Sequence, residues 1–310
     1  MPTGYPDRVP LVPQPKRVEV TVGDVTVSLS NLTKPMYPQA GFTKGHVIDY
    51  YTRIAPTLLP HLRARPLTLK RYPNGVEGTF FYEKRCPSHA PSWVRTAPVW
   101  SGTNEGDIDF CLCEDLPTLV WLANLADLEL HTPMARVPDM DNPTMVAFDL
   151  DPGPPATIVE CARVAMELRR SFEYFGLQAF PKTSGSKGMQ VYLPLNVPGV
   201  TYEAVRAFSR GLAQVLARRM PELIVADMSK ARRAGKVYVD WMQNERHKTT
   251  VNVYSLRAMD RPTVSTPLTW DEVSDMTEPL AFTSAEVLER VARLGDLFAD
   301  VQTLEQELPT

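Results

Sequence analysis

The chain carries little net charge, few cysteines and no long apolar run, and each scarcity removes a class of protein. Its formal charge is −3 over 310 residues. A balance so close to neutral, and acidic, argues against a protein that coats nucleic acid by bulk electrostatics, so any such contact has to come from local patches. Four cysteines in this length do not make a dense disulfide framework, and they fit a reducing compartment. No segment approaches the ~18 apolar residues of a membrane span. Residues 1–17, rich in proline and polar groups, lack the apolar core of a signal peptide. Internal repeats and low-complexity tracts are absent. What is there is a globular chain, since 44% hydrophobic content is enough for a substantial core. The reading is a cytoplasmic, soluble protein with no membrane partner: a flexible arm over 1–17 and a single domain over 18–310.

Alternation at Val18, Val20, Val22 and then Val25, Val27, Leu29 predicts a hairpin about Gly23-Asp24. A helix is expected from Thr43 to about Leu62, strands over Leu67–Arg71 and Thr79–Tyr82, and a helix from Leu119 to Leu130. Thr157-Ile-Val-Glu160 is a capping box ahead of an apolar stripe that Gly176 ends. Strands follow at Ala179–Lys182 and Met189–Leu195, a helix from Tyr202, and strands at Val237–Trp241 and Thr250–Tyr254. A second capping box, Thr283-Ser-Ala-Glu286, opens a helix expected to reach about Leu304. Strands and helices without strict alternation favour an α+β fold, mixed or antiparallel sheets flanked by helices, over a Rossmann fold.

Three stretches carry chemistry. Met145-Val-Ala-Phe-Asp-Leu-Asp-Pro-Gly153 delivers Asp149 and Asp151 to one side of a strand, because side chains two apart share a face. Two like charges side by side persist most easily around a cation, and hard ions such as Mg2+ or Mn2+ favour carboxylate oxygens. The same Asp-x-Asp also occurs in phosphatases, glycosyltransferases and plain loops. Thr183-Ser-Gly-Ser-Lys-Gly188 has the composition to wrap N–H groups and an ammonium around phosphate oxygens. It lacks P-loop spacing and also reads as a polar hairpin turn. Asp240, in the apolar strand Val237-Tyr-Val-Asp-Trp241, is either the polar member of a half-exposed strand or a third carboxylate facing the first two. Three carboxylates can hold two divalent ions for phosphoryl transfer. Around it lie Lys230, Arg232, Arg233, Lys236, Arg246 and Lys248, either a solvated face or a triphosphate or nucleic-acid contact. Cys86, His89, Cys111 and Cys113 offer four ligands for a structural zinc, but Cys-x-Cys is atypical of zinc knuckles and idle or buried thiols are the expectation.

Taken in order, Phe148-Asp-Leu-Asp-Pro-Gly153, Thr183-Ser-Gly-Ser-Lys-Gly188, Arg233-Ala-Gly-Lys-Val-Tyr-Val-Asp-Trp241 and Tyr254-Ser-Leu-Arg257 resemble the polymerase domain of the bacterial non-homologous end-joining ligase D, of the archaeo-eukaryotic primase superfamily. Asn31-Leu-Thr-Lys34, Thr43-Lys44, Lys70-Arg-Tyr-Pro-Asn-Gly75, Phe81-Tyr-Glu-Lys84 and Leu130-His-Thr-Pro133 extend the likeness over roughly residues 25–300.

The resemblance implies a primase-like catalytic core. Asp149, Asp151 and Asp240 would be the catalytic, metal-binding triad for two divalent cations, Mn2+ or Mg2+. His131, Ser184, Lys187, Gln190, Arg233, Gln243, Lys248 and Arg257 would hold an incoming NTP or dNTP, with His131 near the sugar. Asn31, Lys34 and Lys44 would grip the 5′-phosphate of a gap or broken end, and Lys70, Phe81 and Tyr82 would meet the template. The implied activity is primer extension and short-gap filling at DNA breaks, favouring ribonucleotides, in a bacterial, nucleoid-associated monomer working with a DNA ligase and an end-binding protein. With no nuclease or ligase segment up to Thr310, the chain resembles a stand-alone relative or an excised domain. One position departs from the pattern: Gln190 stands where family members commonly have a histidine, and a neutral amide cannot carry charge. Two rival readings follow, a DNA-end-binding module with 5′-phosphate recognition and weakened catalysis, and a haloacid-dehalogenase-like phosphatase built on Phe-Asp-Leu-Asp. Pro152-Gly153 and the mid-chain position oppose the latter.

Overall fold

The computed structural model describes residues 17–309, so the arm expected over 1–17 lies, except for Arg17, outside the described residues. Strands β1 (Arg17–Val22) and β2 (Val25–Ser30) pair antiparallel about Gly23, whose φ of +58° is the left-handed backbone a two-residue hairpin turn needs. Strands β3 (Pro35–Tyr37) and β4 (Phe42–Thr43) form a second, irregular pair. Thr43 then caps α1 (Lys44–Leu62): its hydroxyl accepts from the His46 N–H, and its own N–H donates to His46 Nδ1 at 3.0 Å. The helix buries Val47, Tyr50, Tyr51, Ile54 and Leu58, one stripe at three- and four-residue steps.

Next come β5 (Thr68–Arg71), β6 (Phe81–Glu83), the hairpin β7 (Thr96–Ser101) and β8 (Gly106–Cys111), α2 (Leu116–Asn124) and β9 (Asp127–Thr132). The helix expected over Leu119–Leu130 stops at Asn124. Ala126 turns the chain at φ +61°, and residues from Asp127 pair with β5 instead. The leucine spacing fits both states, and cross-strand pairing decides. Cys86 and Cys111 are joined as a disulfide, while Cys113 and Cys161 are buried thiols. Two of the four candidate zinc ligands are therefore bonded to each other, which differs both from a zinc site and from idle thiols.

The second half opens with β10 (Met145–Pro152), α3 (Ile158–Tyr174), β11 (Phe180–Thr183), β12 (Met189–Pro194), α4 (Tyr202–Arg219), β13 (Ile224–Val225) and β14 (Val237–Asp240). These strands form one sheet in the order β11-β12-β10-β14-β13, with β10 central and antiparallel to both neighbours. Helices α3 and α4 cover one face. Val146, Phe148, Leu150, Leu168, Phe172, Val191 and Val239 fill the space between, each 0% exposed, and each such side chain contributes roughly 1.5–3 kcal/mol. Because β10 alternates, Ala147, Asp149 and Asp151 face the other way.

The chain then returns to the first half through β15 (Thr250–Val251), which pairs with β9 in a sheet ordered β15-β9-β5-β6. It ends with β16 (Thr263–Val264), α5 (Trp270–Ser274), β17 (Phe282–Thr283) and α6 (Ser284–Leu294). Helix α6 stops ten residues short of the expected Leu304, at Gly295 with φ +71°. There Asp296 turns inward, accepting from Tyr254 Oη at 2.7 Å and lying 2.7 Å from His61 Nε2.

Candidate active site

One cross-strand row organises the polar face of the central sheet. In register, Lys182 of β11 stands opposite Gln190 of β12, Gln190 opposite Asp149 of β10, and Asp149 opposite Asp240 of β14. Lys182 is 1% exposed; its Nζ donates to Gln190 Oε1 at 2.5 Å, Ser265 Oγ at 2.6 Å and the Val251 carbonyl at 3.2 Å. With its oxygen held there, Gln190 turns its amide N–H toward Asp149, whose carboxyl it helps to stabilise in the charged form. The row thus runs from a buried lysine, whose charged form burial disfavours, through an amide to two acids.

Burial, then the neighbouring Asp151 charge, pushes the Asp149 carboxyl up to about 7. Asp151, nearer the solvent edge, is raised too, by partial burial and by Asp240. Asp240 is oriented by three donors: Met242 N at 3.0 Å and Tyr238 Oη at 3.2 Å on Oδ1, and Gln243 Nε2 at 3.2 Å on Oδ2. Among the described residues no three His, Cys, Asp or Glu side chains already converge as a closed ligand group. The donor set still fits a divalent cation by its chemistry, being three hard carboxylates on one sheet face, with Asp151 and Asp240 raising the proton affinity of Asp149.

The turn after β11 is locked against this face. Ser184 Oγ accepts from the N–H groups of Ser186 and Gly188, and the Ser184 carbonyl accepts from Arg257 Nη1 at 2.5 Å. Gly188 passes so close to β10 that a Cβ there would lie 2.1 Å from the Leu150 carbonyl oxygen. Lys187 is exposed at the tip, and its charge reaches Asp151, as do those of Arg233 and Arg257. Arg233 lies 3.7 Å over the Tyr238 ring. A cleft of about 550 Å³ is lined by His131, Tyr82 and Lys84 from one sheet and by Asp149, Gln190, Gln243, Lys248 and Arg257 on the other side. Five of the expected nucleotide ligands, His131, Gln190, Gln243, Lys248 and Arg257, therefore line one cleft with Asp149, whereas Ser184, Lys187, Arg233, Asp151 and Asp240 do not line it.

Behind this cleft sits Glu129, which the sequence reading passed over. It is 2% exposed and opposite Lys70 in the β5–β9 register. Lys70 Nζ donates to it at 3.1 Å, and the Lys70 ammonium also lies 4.7 Å from the Phe80 ring centre and 5.7 Å from that of Tyr82. Phe80, Phe81 and Tyr82 are all exposed, an aromatic shelf on which bases can stack. Lys182 carries the signal that singled out Asp240, a charge inside an otherwise apolar strand, and could have been found by it.

Asn31, Lys34 and Lys44 form a separate cluster. Lys44 Nζ, 5% exposed at the start of α1, donates to the Asn124 carbonyl at 3.0 Å and to Ser30 Oγ at 3.3 Å. Lys34 Nζ donates to Asn74 Oδ1 at 2.9 Å. Burial, and after it the Lys34 charge, pull the Lys44 ammonium down to about 8, and two amines within reach of each other suit an anion. Asn31 turns the chain there at φ +54°.

A family model described as the LigD primase-polymerase domain matches residues 43–298. The chain is 42% identical over 275 residues to the multifunctional non-homologous end joining protein LigD of Mycolicibacterium smegmatis, covering 88% of this chain and 36% of that protein. It is 40% identical over 292 residues to the multifunctional non-homologous end joining DNA repair protein LigD of Mycobacterium tuberculosis, covering 91% and 37%. The chain thus spans little more than a third of these relatives. A solved structure, the polymerase domain from Mycobacterium tuberculosis Ligase D in complex with DNA, superposes with a TM-score of 0.84 at 38% identity, over 90% of this chain and 99% of that one. These findings displace the phosphatase reading: the chain belongs to the LigD primase-polymerase domain family.

Proposed function

We propose that this chain is a DNA-dependent nucleotidyltransferase of DNA end joining, which extends a primer across short gaps by adding nucleotides to its 3′-hydroxyl. The observation that carries this is that Asp149, Asp151 and Asp240 share one face of one sheet, and that Asp149 lines a cleft together with Gln190, His131, Lys248 and Arg257. Asp149, Asp151 and Asp240 would hold two divalent ions, Mn2+ or Mg2+, which when bound make a hydroxyl a better nucleophile and neutralise phosphate charge. The protein's own part is positional. The Ser184–Gly188 turn, Lys187, Arg233, Gln243, Lys248 and Arg257 bind the triphosphate of an NTP or dNTP, with ribonucleotides favoured. Phe81, Tyr82 and Lys70 hold the template, and Asn31, Lys34 and Lys44 hold the downstream 5′-phosphate. The monomer, cytoplasmic and nucleoid-associated, would work beside a DNA ligase and an end-binding protein.

Gln190 favours a second reading, a 5′-phosphate-recognising end-binding module with weakened catalysis. A gap-filling assay with ribo- and deoxynucleotides, with and without a 5′-phosphate, separates the two. The first reading requires templated addition that the 5′-phosphate stimulates. Tight binding to phosphorylated gaps without addition, unchanged in Gln190→His, would establish the second.

A further inference from the structure

Glu129 accepts more hydrogen bonds than any group lining the cleft, yet does not itself line it. Oε2 takes one from Lys70 Nζ at 3.1 Å and one from His131 Nε2 at 3.0 Å, while Oε1 takes the Ala258 N–H at 3.0 Å and Tyr72 Oη at 3.2 Å. Arg257 Nε adds an ion pair at 3.4 Å, off the alignment of a hydrogen bond. Burial alone would raise this carboxyl, but the His131 hydrogen bond and the Arg257 and Lys70 charges outweigh it and hold it well below the usual carboxylate range. Two of its partners, His131 and Arg257, do line the cleft.

A carboxylate only accepts, so His131 must carry its proton on Nε2. In the neutral ring, which burial favours for His131, Nδ1 is then left with a lone pair and no protein partner among the described residues. We propose that Glu129 is a positioning residue of the nucleotidyl-transfer site, fixing His131 as an Nδ1 acceptor for a nucleotide hydroxyl and steadying Arg257 against the Ser184 turn. A hydroxyl is the group to read, because the triphosphate offers only acceptors at neutral pH. This rests on the proposed function, and it makes the Glu129–His131 pair a discriminator between nucleotides with and without a donor at that point of the sugar.

The test joins spectroscopy to kinetics. Nitrogen-15 NMR of the wild-type histidines should find His131 as the neutral Nε2–H tautomer at pH 7.5; an Nδ1–H tautomer or an imidazolium overturns the proposal without any variant. Gap filling is then measured for wild type, Glu129→Gln, His131→Asn and the double variant. Glu129→Gln keeps the shape of the side chain but loses its charge and half its accepting capacity. The nucleotide KM should rise roughly 10-fold with kcat changed much less, the ribo/deoxy preference should narrow, and the double variant should match His131→Asn alone. Additive losses, or an unchanged preference alongside lower thermal stability, would make Glu129 merely structural. If wild type itself adds no nucleotide, the functional reading fails instead; the tautomer result stands apart from it.

Discussion

Asp149 and Asp240 stand directly opposite each other in antiparallel register, with Asp151 two residues further along the same face. Like charges placed so are destabilising, by about 0.2–1 kcal/mol for a cross-strand pair. A fold that keeps three of them together gives up stability for a site. Asp240→Asn relieves the repulsion and retains an oxygen for Met242 N, so the cation-free protein should melt at a higher temperature than wild type. Nucleotide addition should fall by roughly 100-fold or more, since even outer-shell changes at metal sites cost 10–100-fold. Calorimetry and a gap-filling rate on one preparation check both halves.

The cation should matter more at high pH. Asp149 is pushed up to about 7 by burial and by Asp151, so in that range the folded chain binds a proton that the unfolded chain has released. Stability without a cation therefore declines as pH rises from the ordinary carboxylate range to about 7. A bound cation replaces the proton. Mn2+ should raise the melting temperature more at pH 8 than at pH 6, and binding at pH 6 should release protons, as isothermal calorimetry in buffers of different ionisation enthalpy would record.

The Lys44 cluster predicts a distinct pH dependence for the 5′-phosphate. With its ammonium pulled down to about 8, Lys44 loses its charge as pH rises through that value. Preference for a 5′-phosphorylated gap over a 5′-hydroxyl one should weaken between pH 7 and 9. In Lys44→Met it should fall about 10- to 100-fold at pH 7, the worth of a charge-assisted hydrogen bond. Fluorescence anisotropy with the two DNAs measures it, and binding of 5′-hydroxyl DNA serves as the control.

Gly188→Ala would put a Cβ 2.1 Å from the Leu150 carbonyl oxygen, between Asp149 and Asp151. Strand β12 must shift or β10 must bend, at about 1–3 kcal/mol. Denaturant melts should show that loss, together with a fall in activity larger than the same loss of stability produces at a residue away from the site.

Much of this was legible in the sequence, for identifiable reasons. The capping boxes at Thr157 and Thr283 mark helix starts because their chemistry is local, and alternation around Asp149 fixes which side chains share a face. Helix ends are less legible. Leu119–Leu130 and residues 295–304 carry helical spacing, but pairing of β9 with β5 and the anchoring of Asp296 by Tyr254 lie far apart in the chain. Glu129 illustrates the same limit within the site. A glutamate between two leucines reads as a side chain turned to solvent until Lys70, Tyr72, His131 and Arg257 are seen around it. The Cys86–Cys111 pairing likewise depends on where the β8 edge falls.

Nucleotide transfer is assigned here to the face that carries Asp149, Asp151 and Asp240. Its most direct test is single-nucleotide addition to a 5′-phosphorylated gapped duplex with Mn2+, comparing wild type with Asp149→Ala at matched folding and DNA binding. Wild type should add the templated nucleotide and the variant none. Equal addition by both, or none by either, would contradict that assignment.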